Sequence, residues 1–341
     1  MHSKLVAPML REYGDLARQM MFQYLPEREP RRWLYDLVAD YPRRGGRAFR
    51  PSLCVATARA FGRPIEDALR SAAAIEILHN ALLVHDDIED GSVRRRGKPT
   101  LHVQEGMAMA LNAGDALLLL SLRPLLDNWR ILGPGVTLRI LEETERMGRE
   151  TAEGQAIELG WRRDNSLDVG EPDYLEMVLK KTCWLGMIHP SRVGALIGAG
   201  EGLDLEPFIG FGFLLGAAFQ IQDDLLNLAG DEDDYGKELD GDIHEGKRTI
   251  MLIRLMERSS DDDRERLTSV LRRPREERTA EDVRWIRASM ERHGCIDYAR
   301  EMAHGLAGAA QHEFERIFAG LPSSRDRDFI GELPVWVIER A

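Results

Sequence analysis

The chain has 341 residues, above the length of about 250–300 at which a single hydrophobic core usually begins to divide. Hydrophobic residues make up 43% and charged residues 30%, which excludes a disordered, collagen-like or mainly membrane-embedded chain. The formal net charge of −12, from 46 basic and 58 acidic residues, argues against nucleic-acid binding, which needs a basic face.

Targeting and redox signals favour the cytoplasm. The first 15 residues are charged and lack a long apolar core, so no signal peptide is predicted. The longest nearly apolar stretch, 208–219, has 12 residues, whereas a membrane span needs about 18. The three cysteines, Cys54, Cys183 and Cys295, are too far apart to indicate a disulfide framework or a zinc site. We therefore expect a reduced, cytoplasmic protein without a transmembrane segment.

Helix is predicted along nearly the whole chain. Ala, Leu, Met, Glu and Arg are abundant, and alternation with a period of two is scarce. Residues 71–90 and 208–228 are the most continuously apolar, so we predict that they form buried central helices. Glycine and proline mark the breaks between helices, at 42–46, 62–64, 91–99, 133–135, 170–172, 200–207 and 230–246.

The C-terminal part of the chain differs in character from the rest. It is rich in charge, which favours peripheral helices with solvated faces. No internal repeat or low-complexity linker divides the sequence. We therefore predict one all-α domain over residues 1–341, with core motifs in 45–249 and peripheral helices in 250–341.

Two acidic clusters each end an apolar helix. In the first, LLVHDDIEDGS, Asp86 and Asp90 are four residues apart and share one helical face, with Asp87 beside them. The second, FQIQDDLLNLAGD, contains Asp223 and Asp224. Unpaired carboxylates are costly at the end of a buried helix, so these groups need cations. Oxygen ligands with room for water and phosphate suit Mg²⁺.

Arginine-rich segments lie on both sides of the first acidic cluster. They are GGRAFRP at 45–51 and GSVRRRGKPT at 91–100. Arginine is suited to bidentate contacts with phosphate. Carboxylates, arginines and a cavity between helices together indicate a diphosphate that is held through magnesium.

Taken in order, these segments resemble the trans-isoprenyl diphosphate synthase family, whose members are also called polyprenyl synthetases. The DDxxD pattern alone is a weak signal, but the ordered series is highly specific. The resemblance implies an all-α, isoprenoid-synthase-type helical bundle around a deep central cavity. The matching segments are GGRAFRP (45–51), residues 77–102, NAGDALL (112–118), the Lys181–Thr182 pair, FQIQDDLLNLAGD (219–231) and YGKELDGDIHEGKRT (235–249).

The resemblance implies that an allylic diphosphate binds between the two acidic helices through up to three Mg²⁺ ions, which Mn²⁺ can replace. The implied metal ligands are Asp86, Asp87, Asp90 and Asp223. The groups that hold the same diphosphate would be Arg95, Lys181, Lys237 and Lys247. Thr182 and Gln220 would face the developing allylic cation, and Asp224 would complete the catalytic acids.

The second substrate implied by the resemblance is isopentenyl diphosphate, which binds in a basic pocket without metal. The matching residues are Arg47, Arg50, His79 and Arg96. The chain departs from the family pattern at three places. Arg47 stands where the family usually has Lys, and Asn227 ends the second acidic motif in place of Asp. Residues 337–341 contain one basic residue, Arg340, and so lack the basic tail that some relatives place near the second substrate site.

The resemblance predicts a prenyltransferase that makes a trans-polyprenyl diphosphate, and favours the C20 geranylgeranyl diphosphate as in bacterial enzymes of that type. Leu78, Ala81 and Leu82 lie just before the first motif and are predicted to set product length. A farnesyl or a longer-chain diphosphate synthase is the alternative. A class I terpene cyclase and a non-catalytic synthase subunit are remoter alternatives. Apolar faces at the flank of the bundle predict a homodimer.

Overall fold

The computed structural model describes residues 4–229 and 240–340. Two π-helical segments, Arg31–Tyr35 and Leu179–Ile188, and a 3-10 turn at Arg275–Glu277 interrupt the α-helices. The α-helices are α1 (Val6–Tyr24), α2 (Asp36–Val38), α3 (Asp40–Arg43), α4 (Phe49–Ala60), α5 (Ile65–Glu89), α6 (Leu101–Glu105), α7 (Met107–Asp127), α8 (Trp129–Arg163), α9 (Glu171–Val178), α10 (His189–Ala199), α11 (Pro207–Ala229), α12 (Gly241–Glu245), α13 (Ile250–Arg258), α14 (Asp261–Arg272), α15 (Ala280–Arg292), α16 (Cys295–Phe318) and α17 (Arg325–Glu339).

Strand structure in the described residues is confined to one small hairpin. Its strands, β1 (Arg94–Arg95) and β2 (Lys98–Pro99), pair antiparallel, with Arg94 opposite Pro99. The hairpin follows α5 directly and brings the arginine-rich segment back over the end of that helix. The predicted all-α fold class is confirmed.

The two helices predicted to be central are buried as expected. Helix α5 follows Pro64, carries Glu66 and Asp67 in its first turn, where acids favour the helix dipole, and gives way to Gly91 at φ +63°. It packs against α1, α4 and α7. Helix α11 begins at Pro207, a favoured first position, and packs against α16 and the Leu179–Ile188 segment. These two helices therefore carry the acidic motifs within the bundle.

The Leu179–Ile188 segment lies very close to α8. A Cβ atom on Gly154 of α8 would lie 2.2 Å from the backbone nitrogen of Lys181, so only glycine fits there. This contact places the Lys181–Thr182 pair against the helix that faces the first acidic cluster.

The C-terminal helices are more deeply packed than their charge pattern predicts. Phe318 of α16 and Phe329 of α17 are fully buried, and α17 packs against α4 and α11. The small residues Ala299 and Ala303 give α16 a close-packing face. The charged residues belong to the outer faces of these helices, whereas the inner faces of α16 and α17 are part of the core. The assignment of the whole chain to one domain remains a prediction.

Helix α7 has two contrasting faces. Ala113 and Leu117 are fully buried against α5, whereas Leu119 is 71% exposed and Leu122 and Leu126 are also exposed. By length and composition alone α7 is the one helix in the described ranges that qualifies as a membrane span, a test that core helices of soluble proteins also pass. Its exposed leucines lie on the flank of the bundle.

Candidate active site

A cavity of about 690 Å³ lies between α5, α8, the Leu179–Ile188 segment and α11. This volume falls in the range of roughly 300–1,000 Å³ that is typical of small-molecule sites. Part of its lining is apolar, including Leu82, Leu118 and Phe219. The rest is strongly charged, so the cavity suits a ligand with an anionic head and an apolar tail.

Most of the predicted site residues meet at this cavity, and the predicted deep cavity is therefore present. Those that line it are Arg50, Leu78, His79, Leu82, Asp86, Arg95, Lys181, Thr182, Gln220, Asp223, Asp224 and Lys247. Predicted residues that are described but do not line it are Arg47, Ala81, Asp87, Asp90 and Arg96. Lys237 lies outside the described residues.

Asp86 and Asp90 at the end of α5 are held by cations from other elements. Lys181 Nζ lies 3.5 Å and Arg95 Nη2 3.2 Å from the Asp86 carboxylate. Asp90 pairs with Lys247 Nζ at 3.1 Å and is buried. Burial would lower the pKa of Lys247, but Asp90 and other acids raise it well above its ordinary value. The lysine therefore stays charged within the protein.

Asp87 is fully buried and is paired within the protein. Its Oδ2 atom accepts a 2.5 Å hydrogen bond from the Tyr41 hydroxyl, and its Oδ1 atom accepts one of 2.9 Å from Arg95 Nε. Both of its oxygens therefore have partners within the protein, and the ligand role that the resemblance assigns to Asp87 stays a prediction.

The second acidic cluster belongs to a polar network on α11. Asp224 accepts hydrogen bonds from Gln220 Nε2 at 2.8 Å and from the Tyr174 hydroxyl at 3.0 Å. The Thr182 hydroxyl donates to Gln220 Oε1 at 2.9 Å, which brings together the two residues predicted to face the cation. Burial raises the pKa of Asp224 well above its ordinary value, and repulsion from Asp242 adds to the shift.

The first acid of the second cluster, Asp223, lies beside the C-terminus. Arg340 Nη2 is 3.4 Å from Asp223 Oδ1, and the same nitrogen donates to the Phe219 carbonyl at 2.8 Å. Asn227, the departure from the family pattern, accepts a hydrogen bond from the backbone nitrogen of Asp242 at 3.1 Å. The amide side chain therefore holds the start of α12 against α11.

The donor set fits a hard divalent cation. Within 4–229 and 240–340, no three His, Cys, Asp or Glu side chains are gathered closely enough to hold an ion by themselves. Asp86 and Asp223 nevertheless line one cavity from two helices, and Asp224 and Asp242 repel each other there. Carboxylate oxygens that share a site with an anionic ligand are the setting that Mg²⁺ prefers. These carboxylates therefore fit a divalent cation that is also bound by a phosphate.

The predicted basic pocket contains a carboxylate that the sequence reasoning missed. Glu76 is buried, and its Oε2 atom lies 3.7 Å from His79 Nδ1. Burial alone would raise the pKa of Glu76, but His79, Arg96 and Arg50 hold it below its ordinary value. Burial, with Arg50, lowers the pKa of His79 to about 4, so the imidazole is neutral at pH 7. Arg47, another residue predicted for this pocket, is exposed to solvent.

Two of the predicted chain-length residues line the cavity and one does not. Leu78 and Leu82 are in its wall, but Ala81 is fully buried in the cluster that contains Ala113 and Leu117. Ala81 therefore faces α7, because consecutive helical positions point in different directions. In the structure its side chain is not part of the cavity lining, and its effect on product length stays a prediction.

Other side chains that the sequence reasoning missed complete the site. They are Tyr41, Glu76, Glu158, Tyr174 and Asp242. A sequence signal existed for Glu76, which stands in the apolar run AAAIEILH, where an unpaired charge is costly. No local signal marks the two tyrosines, because their partners lie 46 and 50 residues away along the chain.

The fold is an all-α helical bundle, and its cavity, lined by Asp86 and Asp223 from two helices together with an apolar wall, has the chemistry of a site for a phosphorylated, partly apolar ligand. The sequence profile of the polyprenyl synthetase family matches residues 31–290. The chain belongs to this family, as the ordered motifs predict.

Relatives of known structure or name match nearly the full length. The short chain isoprenyl diphosphate synthase of Methanothermobacter thermautotrophicus is 34% identical over 339 residues, which is 98% of each chain. The crystal structure of geranylgeranyl pyrophosphate synthetase from Pyrococcus horikoshii has a TM-score of 0.86 and 31% identity, over 98% of this chain and 99% of that one. A polyprenyl synthase from Caulobacter crescentus, solved with calcium and isoprenyl diphosphate, has a TM-score of 0.84 and 28% identity, over 98% of each chain. The predicted fold and family are confirmed.

Proposed function

We propose that this polyprenyl synthetase joins isopentenyl diphosphate head to tail with allylic diphosphates of five to fifteen carbons, and that its main product is geranylgeranyl diphosphate. The observation that carries the proposal is the single cavity in which Asp86, Asp223 and a basic cluster meet an apolar wall. The names of the Methanothermobacter and Pyrococcus relatives support a short-chain product of this kind.

The reaction has three steps. The carbon–oxygen bond of the allylic diphosphate breaks, and inorganic diphosphate leaves with the bonding electrons. The double bond of isopentenyl diphosphate then attacks the allylic cation, and loss of a proton from the adduct forms the new double bond. Lys181 and Arg95, each within 3.5 Å of the Asp86 carboxylate, would hold the leaving diphosphate. The oxygens of Thr182 and Gln220, which are hydrogen-bonded to each other, would stabilise the cation.

We propose that the enzyme requires Mg²⁺, with Mn²⁺ as a possible substitute. Asp86 and Asp223 would hold the metal, since both line the cavity and both are partly exposed. When bound, the metal neutralises the charge that develops on the leaving diphosphate. The calcium in the Caulobacter relative is in line with a divalent cation in this family.

Isopentenyl diphosphate is assigned to the pocket of Arg50, His79 and Arg96. Arg50 and His79 line the cavity, and Arg96 reaches the Tyr41 carbonyl at 3.4 Å. Neutral His79 can donate a hydrogen bond to phosphate without adding charge. Arg47, exposed in the structure, is assigned to the outer side of the same pocket.

We further propose that the protein is a cytoplasmic homodimer that pairs through α7. Its exposed residues include Met107, Leu111, Leu119, Leu122 and Leu126, which follow one side of the helix. An apolar face of this kind, on the flank of a bundle, fits a second copy related by two-fold symmetry.

One incubation tests the function. Purified protein is given labelled isopentenyl diphosphate, Mg²⁺ and, separately, the C5, C10 and C15 allylic diphosphates, and product length is read by chromatography. We expect C20 product from each primer without a second protein. A C15 or longer main product would correct the chain length. No elongation by the purified chain would contradict the proposal and favour a non-catalytic subunit.

A further inference from the structure

The two acidic pairs are built alike. In each pair the first aspartate, Asp86 or Asp223, is partly exposed, and the second, Asp87 or Asp224, is buried. Each buried aspartate accepts a hydrogen bond from a fully buried tyrosine. The arrangement therefore occurs twice, on helices that lie on different sides of the cavity.

In the first pair the connection runs from Tyr41 through Asp87 to Arg95. The phenol donates to Oδ2 of Asp87, and Arg95 donates to both oxygens of the same carboxylate, through Nε to each oxygen and through Nη2 to Oδ1. Arg95 Nη2 also reaches Asp86 at 3.2 Å, and Arg95 lines the cavity. Rotation of the Asp87 carboxylate would therefore turn the guanidinium away from this position.

In the second pair the connection runs from Tyr174 through Asp224 to Gln220. Gln220 Nε2 donates to Asp224 Oδ1, so the amide oxygen of Gln220 is turned towards Thr182. If the amide were flipped, its NH₂ group would face the carbon centre that becomes positive. The partial positive charge of the NH₂ group would then repel that centre. The carboxylate of Asp224 therefore decides which end of the amide faces the substrate.

We propose that Tyr41 and Tyr174 are positioning residues. Tyr41 orients the diphosphate-binding Arg95 through Asp87. Tyr174 orients the amide oxygen of Gln220 through Asp224. This inference rests on the proposed function, because it concerns what those two groups do to the allylic substrate.

The two tyrosines should have different kinetic signatures. Arg95 contacts a diphosphate that is bound before the reaction and gains charge as it leaves, so loss of its orientation weakens binding and also lowers kcat. Gln220 faces a charge that exists only once the carbon–oxygen bond breaks, so loss of its orientation lowers kcat. A tyrosine with only a structural role would lower the melting temperature and move neither quantity.

The test compares Tyr41→Phe, Tyr174→Phe and Tyr13→Phe in the full-length protein with Mg²⁺. Tyr13 is the matched control, since it is buried and its hydroxyl donates to Asp326, away from the cavity lining. Calorimetry measures the Kd of geranyl thiolodiphosphate, an unreactive analogue of the allylic substrate, and steady-state kinetics gives kcat.

We expect Tyr41→Phe to raise the Kd of the analogue about tenfold, the order of effect of a lost hydrogen bond to a charged group, and to lower kcat as well. We expect Tyr174→Phe to leave that Kd unchanged and to lower kcat about tenfold. Tyr13→Phe should change neither. Variants at 41 and 174 that behave like Tyr13→Phe, or that exchange signatures, overturn the inference. Wild-type protein that neither binds the analogue nor elongates a primer overturns the proposed function instead.

Discussion

His79 Nδ1 lies 3.7 Å from Glu76 Oε2, and the two side chains occupy adjacent turns of α5 beside Arg50. Burial lowers the pKa of this histidine from 6.5 to about 4 in spite of the nearby carboxylate, so the imidazole is neutral at pH 7. The buried histidine that is assigned to phosphate binding therefore also makes the stability of the protein depend on pH.

The free energy of unfolding should decrease as the pH is lowered from about 6.5 to about 4. In this window the unfolded chain binds a proton at His79 that the folded chain does not, so acid favours unfolding. His189 has a similarly lowered pKa of about 4 because it is buried, and it contributes in the same direction. We expect His79→Gln to lose less unfolding free energy than wild type between about pH 7 and pH 5 in urea titrations. The exposed His304, changed to Gln, is the control and should keep the wild-type slope.

Metal dependence should be carried by the two partly exposed aspartates. We expect Asp86→Ala and Asp223→Ala each to lower kcat by at least about 100-fold, the usual effect of removing one charge-stabilising group at a reacting centre. Circular dichroism should show unchanged folding. Asp15→Ala, at an exposed aspartate of α1, is the control and should retain activity. Turnover of wild type in excess chelator would contradict the proposed metal requirement.

Product length should respond to Leu78 and Leu82, which line the cavity. Leu82→Phe fills the wall and is expected to shift the main product from C20 to C15, whereas Leu78→Ala deepens the cavity and should admit products beyond C20. Ala81→Phe is the comparison, because its ring would meet the α7 side of α5. There it should lower stability by about 1–3 kcal/mol through overpacking and leave product length unchanged. Product length is measured by chromatography. Identical products from all three variants would show that residues of another helix limit the length of the product.

The exposed face of α7 should control the oligomeric state. We expect Leu119→Asp to convert a dimer to a monomer in sedimentation experiments, since a buried charge without a partner is strongly unfavourable at an apolar interface. Val335→Asp changes an exposed apolar residue on α17 and should leave the dimer intact. A monomeric wild-type protein at micromolar concentration would rule out the proposed dimer.

Much of the site was predictable because its chemistry is local in sequence. Asp86 and Asp90 share a helical face by spacing alone, and the apolar run before them predicts burial of that helix. Asn227 shows the limit of such reasoning. The sequence marks it as a departure from an acidic motif, but only the folded chain shows that its side chain holds the backbone of Asp242.

The sequence by itself determined the helical class, the family and the identity of most side chains that line the cavity, because periodicity and short motifs are properties of neighbouring residues. Tertiary structure alone decided which aspartate of each pair is partly exposed and which is buried against a tyrosine. It also decided that Ala81 faces α7 while Leu78 and Leu82 face the cavity. These outcomes depend on contacts between residues such as Tyr41 and Asp87, which are 46 positions apart and meet only when α5 packs against its neighbours.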